Sequence, residues 1–215
     1  MQWMQLQHYG RSMNASNSKG LPGRRLFAGI IAAIAALGLG LQPTIGDGVY
    51  LENSAALLVY FTIWGNIGAC IVMTAIASGR SVPAGPLAAL ATMLTVVAGV
   101  YWTILSDLHH PVGLDRITNQ SHHTVIPVLT VIWWLLYSPV ARRIPPLMPA
   151  IMVPPLSYGA FALVLGLATD FYAYPFLDLN ALGWMQFLIN NVGLAGFFAV
   201  LGAAMVALRN AISRV

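Results

Sequence analysis

LFAGIIAAIAALGLGLQPTIG, residues 26–46, carries no charge along its length, with Arg24 and Arg25 before it and Asp47 after it. At a rise of about 1.5 Å per residue it is long enough to cross the roughly 30 Å hydrocarbon core of a bilayer as a helix. The apolar region of a signal peptide is shorter, about 7–15 residues, and closes on a small-residue cleavage motif that does not follow here. The run is therefore expected to be a retained helix. Working outward, stretches 55–77, 86–105, 120–137, 147–168 and 184–208 repeat the same apolar character.

Charge is sorted between these stretches. The acids Asp47 and Glu52, Asp107 and Asp115, and Asp170 and Asp178 fall in three gaps. The bases Arg11, Lys19, Arg24, Arg25, Arg80, Arg142, Arg143, Arg209 and Arg214 fall in the tails and the two alternate gaps, and only Arg116 breaks the pattern. Cytoplasmic loops carry the excess of Lys and Arg in membrane proteins. The expected fold is thus all-α, an integral six-transmembrane-helix bundle with both termini cytoplasmic. Residues 1–25 read as a polar, basic cytoplasmic tail, 26–208 as the six-helix membrane domain, and 209–215 as a second cytoplasmic tail. Trp133, Trp134 and Tyr137 are expected at the inner interface and Trp184 at the outer one.

Composition agrees with this class. Charged residues make up 7% of the chain, against about 25% in a soluble domain. The lone Cys70 lies in an apolar run, so no internal disulfide is available. The net charge of +4 flanks apolar spans instead of forming a patch, which argues for membrane lipids and against nucleic acid as a partner. The spans contain no Lys, Arg, Asp or Glu, and this ranks an ion transporter last.

Polar residues within the spans carry the functional signal, because each needs a structural partner or a task. Counted from the acidic end of each helix, Thr62, Asn66, Tyr101, His122, His123, Asn190 and Asn191 fall at one depth on four helices. Asn119 stands four residues before His123, so the two share a helix face. Pro127 lacks the N–H that would bond the His123 carbonyl, which makes the backbone beside His123 irregular. A Thr hydroxyl becomes a nucleophile when a base takes its proton, and neutral His is the natural base near pH 7. Thr62 and His123 could form such a pair, with His122 as the alternate base and the amides as oxyanion donors. Asp107 or Asp170 would have to reach in from a loop to act as a third member. The bland alternatives remain open: Thr62 can bond its own backbone at i−4, the Asn side chains can join helices, and a terminal His can sit at the interface.

His109, His110, His122 and His123 raise a metal reading. Pro111 and Gly113 interrupt the segment between the pairs, and no second His-bearing helix offers another axial ligand for haem. Lys19 is the sole lysine and lies in the tail, which excludes a retinal linkage. No cofactor is expected.

Three segments occur in an order that resembles a known family: Tyr60-Phe61-Thr62-Ile63-Trp64, Asn119-Gln120-Ser121-His122-His123-Thr124, and Tyr174-Pro175-Phe176-Leu177-Asp178. Over roughly residues 50–208 the chain resembles the androgen-induced membrane hydrolases, the FAR-17a family, and their six-span bacterial relatives. The resemblance implies a Thr-dependent hydrolase of fatty acid esters of hydroxy fatty acids, located in a bacterial inner membrane. It places the nucleophile at Thr62 and the base at His123, or at His122 if the position of Pro127 is the guide. Tyr174 and Phe176 would then rim the outer mouth, with the lipid ester entering sideways from the outer leaflet. Arg116, a few residues before the His pair, would contact a headgroup or a fatty carboxylate.

Overall fold

The computed structural model describes residues 22–141 and 143–213; most of the expected N-terminal tail, with Arg11 and Lys19, lies outside the described residues, as do Arg142 and Arg214. Every regular element among the described residues is helical. In chain order they are α1 (Pro22–Leu41), α2 (Tyr50–Leu57), α3 (Phe61–Ala77), α4 (Ala84–Val100), α5 (Gly113–Gln120), α6 (Ile126–Tyr137), α7 (Met148–Thr169) and α8 (Leu179–Ile212). Two short π-helical turns, Tyr101–Leu105 and Ser121–Val125, extend α4 and join α5 to α6.

Four helical stretches are long and apolar enough to cross a membrane: Pro22–Thr44, Ala84–Leu108, Pro145–Thr169 and Leu179–Ile212. A fifth counts when α2 and α3 are taken together, though they are bent by 101°. The chain therefore has the build of a multi-pass membrane protein. Two of the six spans expected from sequence come out differently. Stretch 55–77 breaks at Leu58–Tyr60, where Tyr60 is extended. Trp64 donates its indole N–H to the Leu58 carbonyl at 2.8 Å, and Tyr158 its hydroxyl to the Val59 carbonyl at 2.7 Å. Those bonds satisfy backbone groups that a helix would otherwise have paired. Stretch 120–137 belongs to a longer helical rod from Gly113 to Tyr137, whose first half carries Asn119, His122 and His123 and lacks the apolar character of a span.

Helix starts also shift. α1 begins at Pro22, so Arg24 and Arg25 lie inside it. Arg25 donates Nε–H to the Ala77 carbonyl at 3.0 Å, a cation at the negative end of α3. α7 runs through Pro154 and Pro155 without ending. Asp178 caps α8 through the Ala181 N–H at 3.1 Å, and Gly183, at φ +72, kinks it one turn later.

Core packing divides in two. Near the basic end, Ile31, Met73, Ile76, Leu87, Trp133 and Ile151 pack α1, α3, α4, α6 and α7 together. Trp133 and Trp134 are 0% and 2% exposed, so they are core residues and not interface anchors as expected. The indole N–H of Trp133 donates to the Arg24 carbonyl at 3.0 Å, which is how a large ring with a polar edge is accommodated inside. Trp184, at the start of α8, is 56% exposed. Near the acidic end, Phe61, Val97, Tyr158, Tyr174, Phe187 and Phe198 form the second cluster. The polar layer lies beside it.

Candidate functional site

Thr62 is the second residue of α3, and its setting follows from the break before it. First-turn N–H groups have no intrahelical acceptor, and the dipole makes this end positive. The carbonyl at i−4 belongs to Leu58, lies outside the helix and accepts from Trp64. The self-bonding role open to a mid-helix Thr is thus closed to Thr62. Its hydroxyl instead donates to Nε2 of His123 at 3.3 Å.

His123 is oriented by its own backbone. Its Nδ1–H donates to the Asn119 carbonyl, one turn earlier, at 3.2 Å. A carbonyl can only accept, so the proton resides on Nδ1 and Nε2 is left as the acceptor facing Thr62. Pro127 explains why this turn is wide. Its missing N–H breaks the i→i−4 ladder, and the chain shifts to longer bonds, the Ile126 N–H donating to the Ser121 carbonyl.

The second π turn supports the first from α4. Tyr101 stacks on His123, with ring centroids 3.8 Å apart and planes 20° from parallel. Next to it, the Trp102 indole donates to the Thr124 hydroxyl at 3.0 Å. Two irregular turns on neighbouring helices are thereby fastened together around the imidazole.

The expected oxyanion donors fall elsewhere. Asn66, fully buried, donates to the Thr62 carbonyl at 2.8 Å and to the His122 carbonyl at 3.3 Å. Both amide hydrogens are then occupied, and Asn66 ties α3 to the π turn instead of facing substrate. Asn119 contributes through its backbone, since its side-chain Oδ1 is buried and without a partner. Asn190 donates to the Phe176 carbonyl at 2.9 Å and accepts from Gln186 at 2.7 Å, so it holds the Tyr174–Leu177 turn against α8. His122 points away, against α1. A Cβ on Gly38 would come within 3.0 Å of its ring, and neither ring nitrogen makes a hydrogen bond of good geometry. Arg116 is exposed on α5 and takes no part.

On its other side Thr62 borders a cavity of about 270 Å³. Val96, Val97 and Val100 of α4, Tyr158 and Gly159 of α7, and Phe187, Asn191 and Phe198 of α8 form its walls, while Tyr174, Phe176 and Leu177 cover it. Asn191 alone among the expected amides reaches this space, and its Nδ2 donates to the Phe187 carbonyl at 2.9 Å. No Asp, Glu, Lys or Arg lines the cavity. The Tyr174 phenol faces the Thr62 hydroxyl and the first N–H groups of α3, and burial pushes its pKa up, so it stays a neutral donor.

Glu52 lies in α2 and Asp115 in α5, and the other four acids lie in the turns between helices. Asp115 accepts from His109 at 2.8 Å and from Gln42 at 3.3 Å, and Asp170 accepts from Asn180 at 3.2 Å. Among the described residues no three His, Cys, Asp or Glu side chains converge to hold a metal ion. Sequence reasoning missed the Asn119 carbonyl as orienting group, because any residue supplies one. It also missed the stacking of Tyr101, for which the residue type and depth were the available signal.

No protein-family model matches the chain, and neither a curated protein nor a solved structure matches it.

Proposed function

We propose that this chain is an intramembrane lipid-ester hydrolase of the FAR-17a type, with Thr62 as nucleophile and His123 as base. The relay Thr62 O–H to His123 Nε2, with His123 Nδ1–H held by the Asn119 carbonyl at the wall of an apolar cavity, is the observation that carries this reading. In this proposal six helical passes lie in a bacterial inner membrane with both termini cytoplasmic, as the sorted charges favour. The broken α2–α3 pair and the polar rod from Gly113 to Tyr137 supply the second and fourth passes. Irregular backbone of this kind is tolerated at depth where protein covers it.

In the reaction, Thr62 Oγ1 attacks the ester carbonyl carbon and its proton passes to His123 Nε2. The carbonyl oxygen takes the negative charge, beside the positive end of α3 and the neutral phenol of Tyr174. The C–O bond to the alcohol breaks and the alcohol oxygen takes the proton from His123, leaving Thr62 acylated. Water then repeats the sequence: its oxygen attacks the acyl carbon, its proton goes to Nε2, and Thr62 recovers that proton as the acid leaves. A fatty acid ester of a hydroxy fatty acid satisfies the apolar walls on its acyl side.

The same cavity supports a second reading, a lipid-binding protein without turnover, since the described acids lie away from His123. Purified protein in detergent is incubated with a panel of lipid esters, and wild type is compared with Thr62→Ala, His122→Ala and His123→Ala by mass spectrometry. Loss of product with Thr62→Ala and His123→Ala, with a covalent fluorophosphonate adduct on wild-type Thr62, is the expected result. Undiminished turnover by Thr62→Ala would overturn the hydrolase, and identical product profiles in all four would favour binding.

A further inference from the structure

The cavity is closed toward the acidic end. Tyr174 is 8% and Leu177 2% exposed, Tyr174 and Phe176 stack at 5.3 Å, and Asn190 pins the turn from below. Its exposed lining lies elsewhere. Leu156 on α7 is 57% exposed and Leu188 on α8 is 52% exposed, and Ala160 between them is exposed as well. All three lie on helices apolar enough to cross a membrane, so the opening faces hydrocarbon and not the loops.

Small residues and prolines mark this side. Gly159 and Ala160 are the small residues at the gap, and a Cβ on Gly159 would lie 3.1 Å from Oδ1 of Asn191 on the facing helix. One turn earlier, Pro154 and Pro155 deprive α7 of two backbone donors. Helices bend most readily at such points, one turn before Gly159.

We infer that a single acyl chain of a membrane lipid enters sideways between α7 and α8, through a slot bounded by Leu156, Ala160 and Leu188, to reach Thr62. This rests on the apolar cavity and deepens the proposed function by placing its substrate route. At about 270 Å³ the cavity lies just below the 300–1,000 Å³ usual for ligand pockets, so one chain fits and the rest of the lipid stays in the bilayer. The absent charge in the lining excludes a fatty carboxylate as the buried end, because an unpaired charge there would be desolvated.

The test uses the full chain in phosphatidylcholine vesicles that contain a fatty acid ester with a diazirine at its chain end. After illumination, adducts are mapped by mass spectrometry. Adducts on Val97 or Phe198, deep in the cavity, are expected in wild type. Ala160→Trp, which fills the slot, should cut them about tenfold, the penalty of overpacking by one or two kcal/mol. Val200→Trp, an exposed position on another face of α8 (71% exposed), should leave them unchanged. Leu188→Trp closes the slot from the other helix and covers the case in which Ala160→Trp does not fold. Adducts confined to the loops, or equal labelling of wild type, Ala160→Trp and Leu188→Trp, overturn the slot. Because labelling needs no turnover, interior adducts without ester cleavage would sink the hydrolase and leave the slot standing.

Discussion

Tyr101 lies flat against His123, ring on ring, from a different helix and from a π turn of its own. One face of the imidazole is thereby fixed, while hydrogen bonds fix both nitrogens in its plane. The stack restrains the ring through area and not through the phenol. Tyr101→Phe should therefore hold ester turnover within about threefold. Tyr101→Ala should lower kcat by about a hundredfold, as misplacing a catalytic group by an ångström does. Equal kinetics for the two variants would remove the stack from the mechanism.

His122 and His123 separate cleanly by substitution. His122 is buried without a good hydrogen bond, so His122→Leu should leave cleavage intact and raise stability by about 1 kcal/mol. His123→Leu should abolish cleavage. Gly38→Ala should destabilise the wild type by about 1–3 kcal/mol, since its methyl meets the His122 ring at 3.0 Å. In a His122→Ala background that penalty should largely vanish. Thermal melts of the four proteins in one detergent read this directly.

Asn66 offers a different kind of test, because it donates to two carbonyls and touches no substrate space. Asn66→Ala should lower kcat by about tenfold and leave KM alone, a loss confined to the transition state. Asn66→Asp should be worse than Asn66→Ala, since a buried carboxylate would set its oxygens against both carbonyl oxygens. A rise in KM alone would mean that Asn66 contacts the ester after all.

Tyr174 predicts the alkaline limit. Its folded pKa stands above the usual value of about 10, so the folded state holds this proton more tightly than the unfolded one. The stability it contributes is complete below pH about 10 and declines as pH rises from there toward the folded pKa. Tyr174→Phe should flatten that decline in a pH series of melting temperatures. An unchanged slope would show that the phenol titrates freely.

Much of this arrangement was legible in the residues. The sorted charges and uncharged runs specify an all-helical multi-pass chain, because hydrocarbon admits only helices and closed barrels and the runs lack the alternation of barrel strands. Counting depth along helices brought Thr62 and His123 into one layer. The break at Leu58–Tyr60 was not legible, since an apolar run reads alike whether straight or bent. The bend is held by two donors, Trp64 six residues further on and Tyr158 from α7, offering partners to freed carbonyls. Nor could the amides be told apart. Asn66, Asn190 and Asn191 are chemically identical, and only the position of nearby carbonyls decides which hold the frame and which faces the cavity.

The Asn119 carbonyl has a consequence for where such a device can operate. A carboxylate in its place would be a permanent anion, and moving it into hydrocarbon carries a Born penalty of many kcal/mol. A peptide dipole fixes the same tautomer with no net charge, so the resting relay is electrically silent. In the proposed hydrolysis charge would arise only during turnover, as an imidazolium and an oxyanion within a few ångströms of each other. Such a pair has almost no monopole for counterions to screen or for a transmembrane voltage to pull. Catalysis at Thr62 should run at the same rate in low and high salt, and in polarised and depolarised vesicles alike.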